Sequence, residues 1–216
     1  MSLAICVMAR VPIPGQAKTR LSPPLTAEEA AGLAAAFLLD VWSAATRVSG
    51  AEVFLSYRGD EGKLPGEFGN VARFSQEGAD LGARMEHTAR VGLTRASSVL
   101  VIGSDLPGLS ASCLQTARDA LIDHDAVLGP SIDGGFYLIG LRDSPPGLLA
   151  DLPWSAKNTH EATRSRLIDR GMRVAEAPRF DDVDTIDDVV ALRNAIVAGS
   201  LLAPASALVL SRLTCV

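Results

Sequence analysis

The stretch Ser98-Val99-Leu100-Val101-Ile102-Gly103-Ser104-Asp105 decides the fold. Its run of Val, Leu and Ile, too short for a helix and bounded by small residues, predicts a buried strand. A polar acid follows at once. The same pattern recurs on either side of it. Leu3–Ala9 and Ala51–Tyr57 predict strands, with a shorter one near Val71–Phe74, and Ala126–Gly129, Phe136–Leu141 and Arg173–Ala177 predict three more. Helices alternate with them. Thr26 with Glu29 forms a capping-box signature ahead of Leu33, Phe37, Leu38, Val41, Trp42 and Ala45, and Gly50 lies past the end. Asp80–Arg95, a segment capped by Ser110 or Ser112 and ending near His124, Asn158 to Gly171, and Thr185–Ala198 predict the remaining helices. Strands alternating with helices imply a largely parallel sheet with helices on both faces. In such sheets ligands bind at the carboxyl ends of the strands.

The chain has 216 residues, 48% hydrophobic and 21% charged, which predicts one soluble globular domain able to fold without disulfides or zinc. Residues 1–198 form the expected domain, and 199–216 an apolar tail packed on it. Twenty Lys plus Arg against 25 Asp plus Glu give a net charge of −5, which argues against nucleic acid as a partner but not against a small phosphorylated ligand. Cys6, Cys113 and Cys215 form no metal-binding spacing, and Cys6 reads as a core residue. No basic stretch precedes the first apolar run, and the uncharged stretch Ala195–Ser211 carries Gly199 and Pro204 and falls short of the ~20 apolar residues of a span. The expectation is a cytoplasmic protein without stable membrane insertion, compatible with a homodimer.

Four segments following strands carry candidate chemistry. Arg10-Val11-Pro12-Ile13-Pro14-Gly15-Gln16-Ala17-Lys18-Thr19-Arg20-Leu21 is a stiffened loop with three cations, suited to a diphosphate or else simply a solvated basic loop. Asp105, after the central strand, is placed to hold a divalent metal or to cap the loop. Asp133-Gly134-Gly135-Phe136-Tyr137 permits close approach to a ligand, but Asp-Gly between two strands is a strong hairpin signal, and the segment by itself reads first as a hairpin turn. In Asp181-Asp182-Val183-Asp184-Thr185-Ile186-Asp187-Asp188, Thr185 reads as an N-cap with Asp187 and Asp188 in the first turn. Asp181, Asp182 and Asp184 have no such role, and three adjacent carboxylates repel unless a cation sits among them. Arg84, Trp154 and His160 are weaker signals: a ligand contact from a helix start, a wall of a sugar or base pocket, and a proton carrier, each balanced by an ordinary structural role.

Taken jointly, Pro14-Gly15 with Lys18-Thr19-Arg20-Leu21, Asp80-Leu81-Gly82 with Arg84-Met85, Ser104-Asp105-Leu106-Pro107-Gly108-Leu109, Asp133-Gly134-Gly135-Phe136-Tyr137-Leu138, Pro153-Trp154-Ser155 and Asp182-Val183-Asp184-Thr185 resemble the nucleotide-diphospho-sugar transferase superfamily. Within it the chain is similar to small bacterial glycosyltransferases of the arsenosugar-biosynthesis type, from Leu3 to about Ala198. The Lys18–Leu21 segment also looks like that of phospholactate guanylyltransferases. The resemblance implies a GT-A, Rossmann-like three-layer α/β sandwich. It implies that Arg10, Gly15, Lys18, Arg20 and Arg84 bind nucleotide phosphates and that Asp105 and Asp184 hold Mg²⁺ or Mn²⁺. Asp133 would face the acceptor or act as base, and Gly134, Gly135, Trp154 and His160 would line the acceptor or sugar pocket. The implied reaction is transfer of a sugar from a nucleotide sugar to a small acceptor, a preference resting on the Asp133–Tyr137 block. The alternative is nucleotidyl transfer from a nucleoside triphosphate with release of pyrophosphate. The third is a nucleotide-binding protein without catalysis.

Overall fold

The computed structural model describes residues 2–214. Seven strands, β1 (Leu3–Arg10), β2 (Ala51–Arg58), β3 (Arg73–Ser75), β4 (Ser98–Gly103), β5 (Ala126–Pro130), β6 (Phe136–Leu141) and β7 (Val174–Glu176), form one sheet in the order β3-β2-β1-β4-β6-β5-β7. All neighbours are parallel except β6, which runs antiparallel to both β4 and β5. Six helices surround it: α1 (Ala27–Thr46), α2 (Leu81–Leu93), α3 (Ala111–Asp123), α4 (Thr159–Asp169), α5 (Ile186–Val197) and α6 (Pro204–Leu210).

The strand pleat separates the core into two layers. On β1, Leu3, Ile5, Val7 and Ala9 face the cluster under α1 and α3, which also takes Leu100 and Ile102 of β4. Ala4 and Cys6 face the other side with Val99, Val101, Met85 and Ala89 of α2, and Leu167 of α4. Helices on both faces bury these strands, as the continuous apolar runs require. Cys6 is fully buried, and burial pushes its thiol up to about 12.

Local signals set most boundaries. Thr26 and Glu29 make the reciprocal capping box of α1, and Ser110 rather than Ser112 caps α3. Asn158 makes no side-chain capping bond to α4, so the expected cap there does not form. The tail departs further from expectation. Its residues 204–210 form α6, packed into a third cluster with Leu21, Leu33, Phe37 and Leu192. The buried carboxylate of Asp40 on α1 accepts from the Ala205 amide (2.9 Å), the Ser206 amide (2.9 Å) and the Ser206 hydroxyl (2.6 Å), and so caps the start of α6 from another helix. Cys215 lies outside the described residues. Among the described residues no helix is long and apolar enough to cross a membrane.

Candidate active site

Register brings the chemistry to one edge of the sheet. Arg10 and Arg58 are paired at the ends of β1 and β2, and Met8 pairs with Gly103, so Ser104 and Asp105 emerge beside Arg10. Because β6 runs the other way, its first residue, Phe136, and the turn before it reach the same edge. Two cavities open there, of about 420 and 330 Å³. The larger has Arg10, Arg58 and Arg84 toward the β1–β2 side and Asp105, Asp133 and Asp182 toward the β4–β6 side. The smaller lies under the β1 loop and is lined by Lys18, Arg20 and Asp184. Arg10, Ser104 and Asp105 belong to both.

Between the cavities sits an acid–lysine cluster. Lys18 Nζ donates to Asp184 Oδ1 (2.6 Å) and to the Val183 carbonyl (2.6 Å) and lies 3.0 Å from Asp105 Oδ2. Arg20 Nη1 is 3.5 Å from the other Asp184 oxygen. The Val183 amide donates to the Asp105 carbonyl (3.0 Å), docking the 181–184 segment on the β4 loop. Burial works against the Lys18 charge, but Asp105 and Asp184 outweigh it and push its pKa above the ordinary lysine value.

Asp182 points into the larger cavity. Its own burial and the nearby Asp184 charge push its carboxyl up to about 6. Sequence reasoning flagged Asp182 as unexplained but assigned it no role, and it missed Arg58 altogether. The strand-end position of Arg58, directly beside Arg10, was the available signal. Arg84 is lowered by burial and by repulsion from Arg58, so these two cations face a shared space.

Several expected roles change. Asp133 accepts from the Ser131 hydroxyl (2.5 Å) and the Gly135 amide (2.9 Å), which hold its carboxyl below the ordinary range. The segment around it is the turn of the antiparallel β5–β6 hairpin, at the wall of the larger cavity. Gly134, at φ 87, leaves the space that the Lys157 backbone occupies, so its role is packing rather than ligand contact. Gly15, at φ 73, shapes the tip of the β1 loop and lines neither cavity. His160 also lies outside both cavities; its Nε2 faces Glu176 at 3.7 Å. Gly135 and Trp154 do line the larger cavity, with Trp154 against Phe136 (ring centroids 6.0 Å apart).

The donor set suits a hard divalent cation. Among the described residues no three acids, histidines or cysteines cluster at metal-binding spacing. Mg²⁺, however, is commonly held by one or two carboxylates with phosphate and water completing the octahedron. Asp105 and Asp184, 42% and 39% exposed and bridged by one ammonium, supply such a pair.

Known proteins share this architecture. The crystal structure of a candidate nucleotide-diphospho-sugar transferase from Desulfovibrio desulfuricans G20 is 29% identical and superposes with a TM-score of 0.86 over 98% of this chain and 95% of its own. A nucleotidyl transferase from Methanothermobacter thermautotrophicus shares the fold at 15% identity, with a TM-score of 0.62 over 92% of this chain and 99% of its own. The 2-phospho-L-lactate guanylyltransferase of Methanothermobacter thermautotrophicus strain Delta H is 29% identical over 178 residues, 80% of this chain and 77% of the relative. Residues 41–156, more than half of the chain, match the bacterial family described as "Uncharacterized protein conserved in bacteria (DUF2064)", and the protein belongs to that family.

Proposed function

We propose that the protein is a nucleotidyltransferase, joining a nucleoside monophosphate from a nucleoside triphosphate to a small acceptor and releasing pyrophosphate. The observation that carries this reading is the meeting of Lys18, Asp105 and Asp184 at the junction of two cavities, one with a cationic loop and one with a cationic wall. The guanylyltransferase relative supports it over glycosyl transfer. In the Asp133–Tyr137 block, on which the glycosyl-transfer preference rests, Gly134 packs on the Lys157 backbone and the other four residues line the larger cavity, which suits an acceptor of either reaction.

An acceptor oxygen attacks the α-phosphorus, a new P–O bond forms, and the bond to the β-phosphate oxygen breaks. Arg10, Lys18 and Arg20 would hold the phosphates. Asp105 and Asp184 would hold Mg²⁺ or Mn²⁺, which when bound supplies charge neutralisation at the phosphates. Asp133 keeps its charge and orients the hairpin loop, while Asp182 is available in the larger cavity to receive an acceptor proton.

The test is a panel of the four nucleoside triphosphates and of nucleotide sugars, each with Mg²⁺ and small phosphorylated or hydroxylated acceptors, 2-phospho-L-lactate among them. Pyrophosphate release from a triphosphate, abolished in Asp105→Ala, is expected. Release of nucleoside diphosphate from a nucleotide sugar, with no pyrophosphate from any triphosphate, restores the glycosyltransferase reading.

A further inference from the structure

We propose that Lys18 is the resident cation of the metal position in the nucleotide-free protein, so that Asp105 and Asp184 accept a divalent ion only once nucleotide phosphates draw the Lys18 ammonium away. The proposal rests on the reading that these two carboxylates hold the metal. Lys18 is built for this place. Its Nζ has three oxygen partners, Asp184 Oδ1, the Val183 carbonyl and Asp105 Oδ2, at 2.6, 2.6 and 3.0 Å, which occupy all three of its donors. Its side chain is 6% exposed, whereas that of Arg20 on the same loop is 78% exposed. Its backbone is left-handed (φ 47, ψ 41), a conformation a residue with a Cβ holds only where its surroundings impose it. The Phe37 ring, 5.8 Å from Nζ, closes the apolar side.

Lys18 and Arg20 therefore have separate tasks. Arg20, 78% exposed, reaches the outer oxygen of Asp184 at 3.5 Å from the mouth of the smaller cavity, where phosphate can reach it. Lys18 neutralises carboxylates that would otherwise repel each other. A divalent ion placed between Asp105 and Asp184 would lie against the ammonium, so the two cations compete for one position. The displaced ammonium has a destination, because Lys18 lines the same cavity as Arg10 and Arg20. Metal and nucleotide then bind with positive coupling, and by linkage each raises the affinity of the other by the same factor.

The experiment titrates Mn²⁺ into nucleotide-free protein and follows loss of the free-ion electron paramagnetic resonance signal. Wild type is expected to bind Mn²⁺ at least about tenfold more weakly than Lys18→Met, and Lys18→Arg, which keeps the charge, to remain as weak as wild type. Equal affinity of wild type and Lys18→Met, whether tight or undetectable, overturns the proposal. If Lys18→Met fails to fold by circular dichroism, Lys18→Gln takes its place. Wild type alone overturns the idea if it binds Mn²⁺ more tightly than about 0.1 mM without nucleotide. No nucleotide or acceptor is present, so a failure of nucleotidyl transfer leaves this result untouched.

Discussion

Asp40→Ala removes the carboxylate that caps α6 from α1, and its cost follows from the geometry. Three donors, two amides and one hydroxyl, lie 2.6–2.9 Å from the two oxygens of a side chain in a residue only 6% exposed. Hydrogen bonds to a charged group contribute roughly 1.5–3 kcal/mol each, and deletion leaves buried donors unsatisfied. The bonds share an acceptor and are not additive, so the loss is about 4 kcal/mol rather than the full sum. At about 2–4 °C per kcal/mol for a chain of this size, the melting temperature should fall by roughly 8–16 °C. A seven-residue helix has no independent stability, so the loss should concentrate there. Hydrogen exchange is the decisive assay. Amides of 205–213 should lose protection by orders of magnitude, while those of β1 and β4 fall only in step with global stability. Asp40→Asn keeps the shape but sets an amino group against a donor in place of one acceptor oxygen, so it should recover only part of the loss. A melting change below ~2 °C with unaltered exchange in α6 would refute the capping argument.

Two further outcomes are expected. Gly134→Ala should destabilise by about 2–4 kcal/mol, because a Cβ there meets the Lys157 backbone at a left-handed φ. Gly15→Ala, left-handed but in open space, should cost only about 1 kcal/mol; chemical denaturation of both variants tests the ranking. For Cys6 the folded thiol is raised from 9.0 to about 12, so its contribution to stability is complete below pH 9 and is lost as pH rises toward 12. Urea unfolding between pH 8 and 11 should show wild type losing up to about 1.4 kcal/mol per pH unit more than Cys6→Val above pH 9, and parallel curves would contradict it.

Legibility in the sequence followed the range of the interaction. β1, β4 and the α1 capping box were readable because an apolar run, or two residues three apart, determine them locally. Lys18, Asp105 and Asp184 were readable as candidates, since each follows a strand or opens a helix. Their contact was not, because Lys18 and Asp184 are 166 residues apart. The same distance hid α6. Its segment reads as an apolar tail until Asp40, 166 residues before Ser206, supplies the cap. Asp133 shows the converse case, a feature set by residues close to it in the chain. Its sequence already read as a hairpin turn, and what the structure adds is that the Ser131 hydroxyl and the Gly135 amide bind its carboxylate at the wall of the larger cavity.

The three residues common to both cavities, Arg10, Ser104 and Asp105, have a pharmacological consequence. A single molecule carrying a group for each compartment, joined by a short linker passing Asp105, engages the second compartment as an intramolecular event. Its affinity then exceeds that of either half by an effective concentration set by the linker. Such a compound has to match two differently lined chambers at once, and the shared residues mark where its linker would pass.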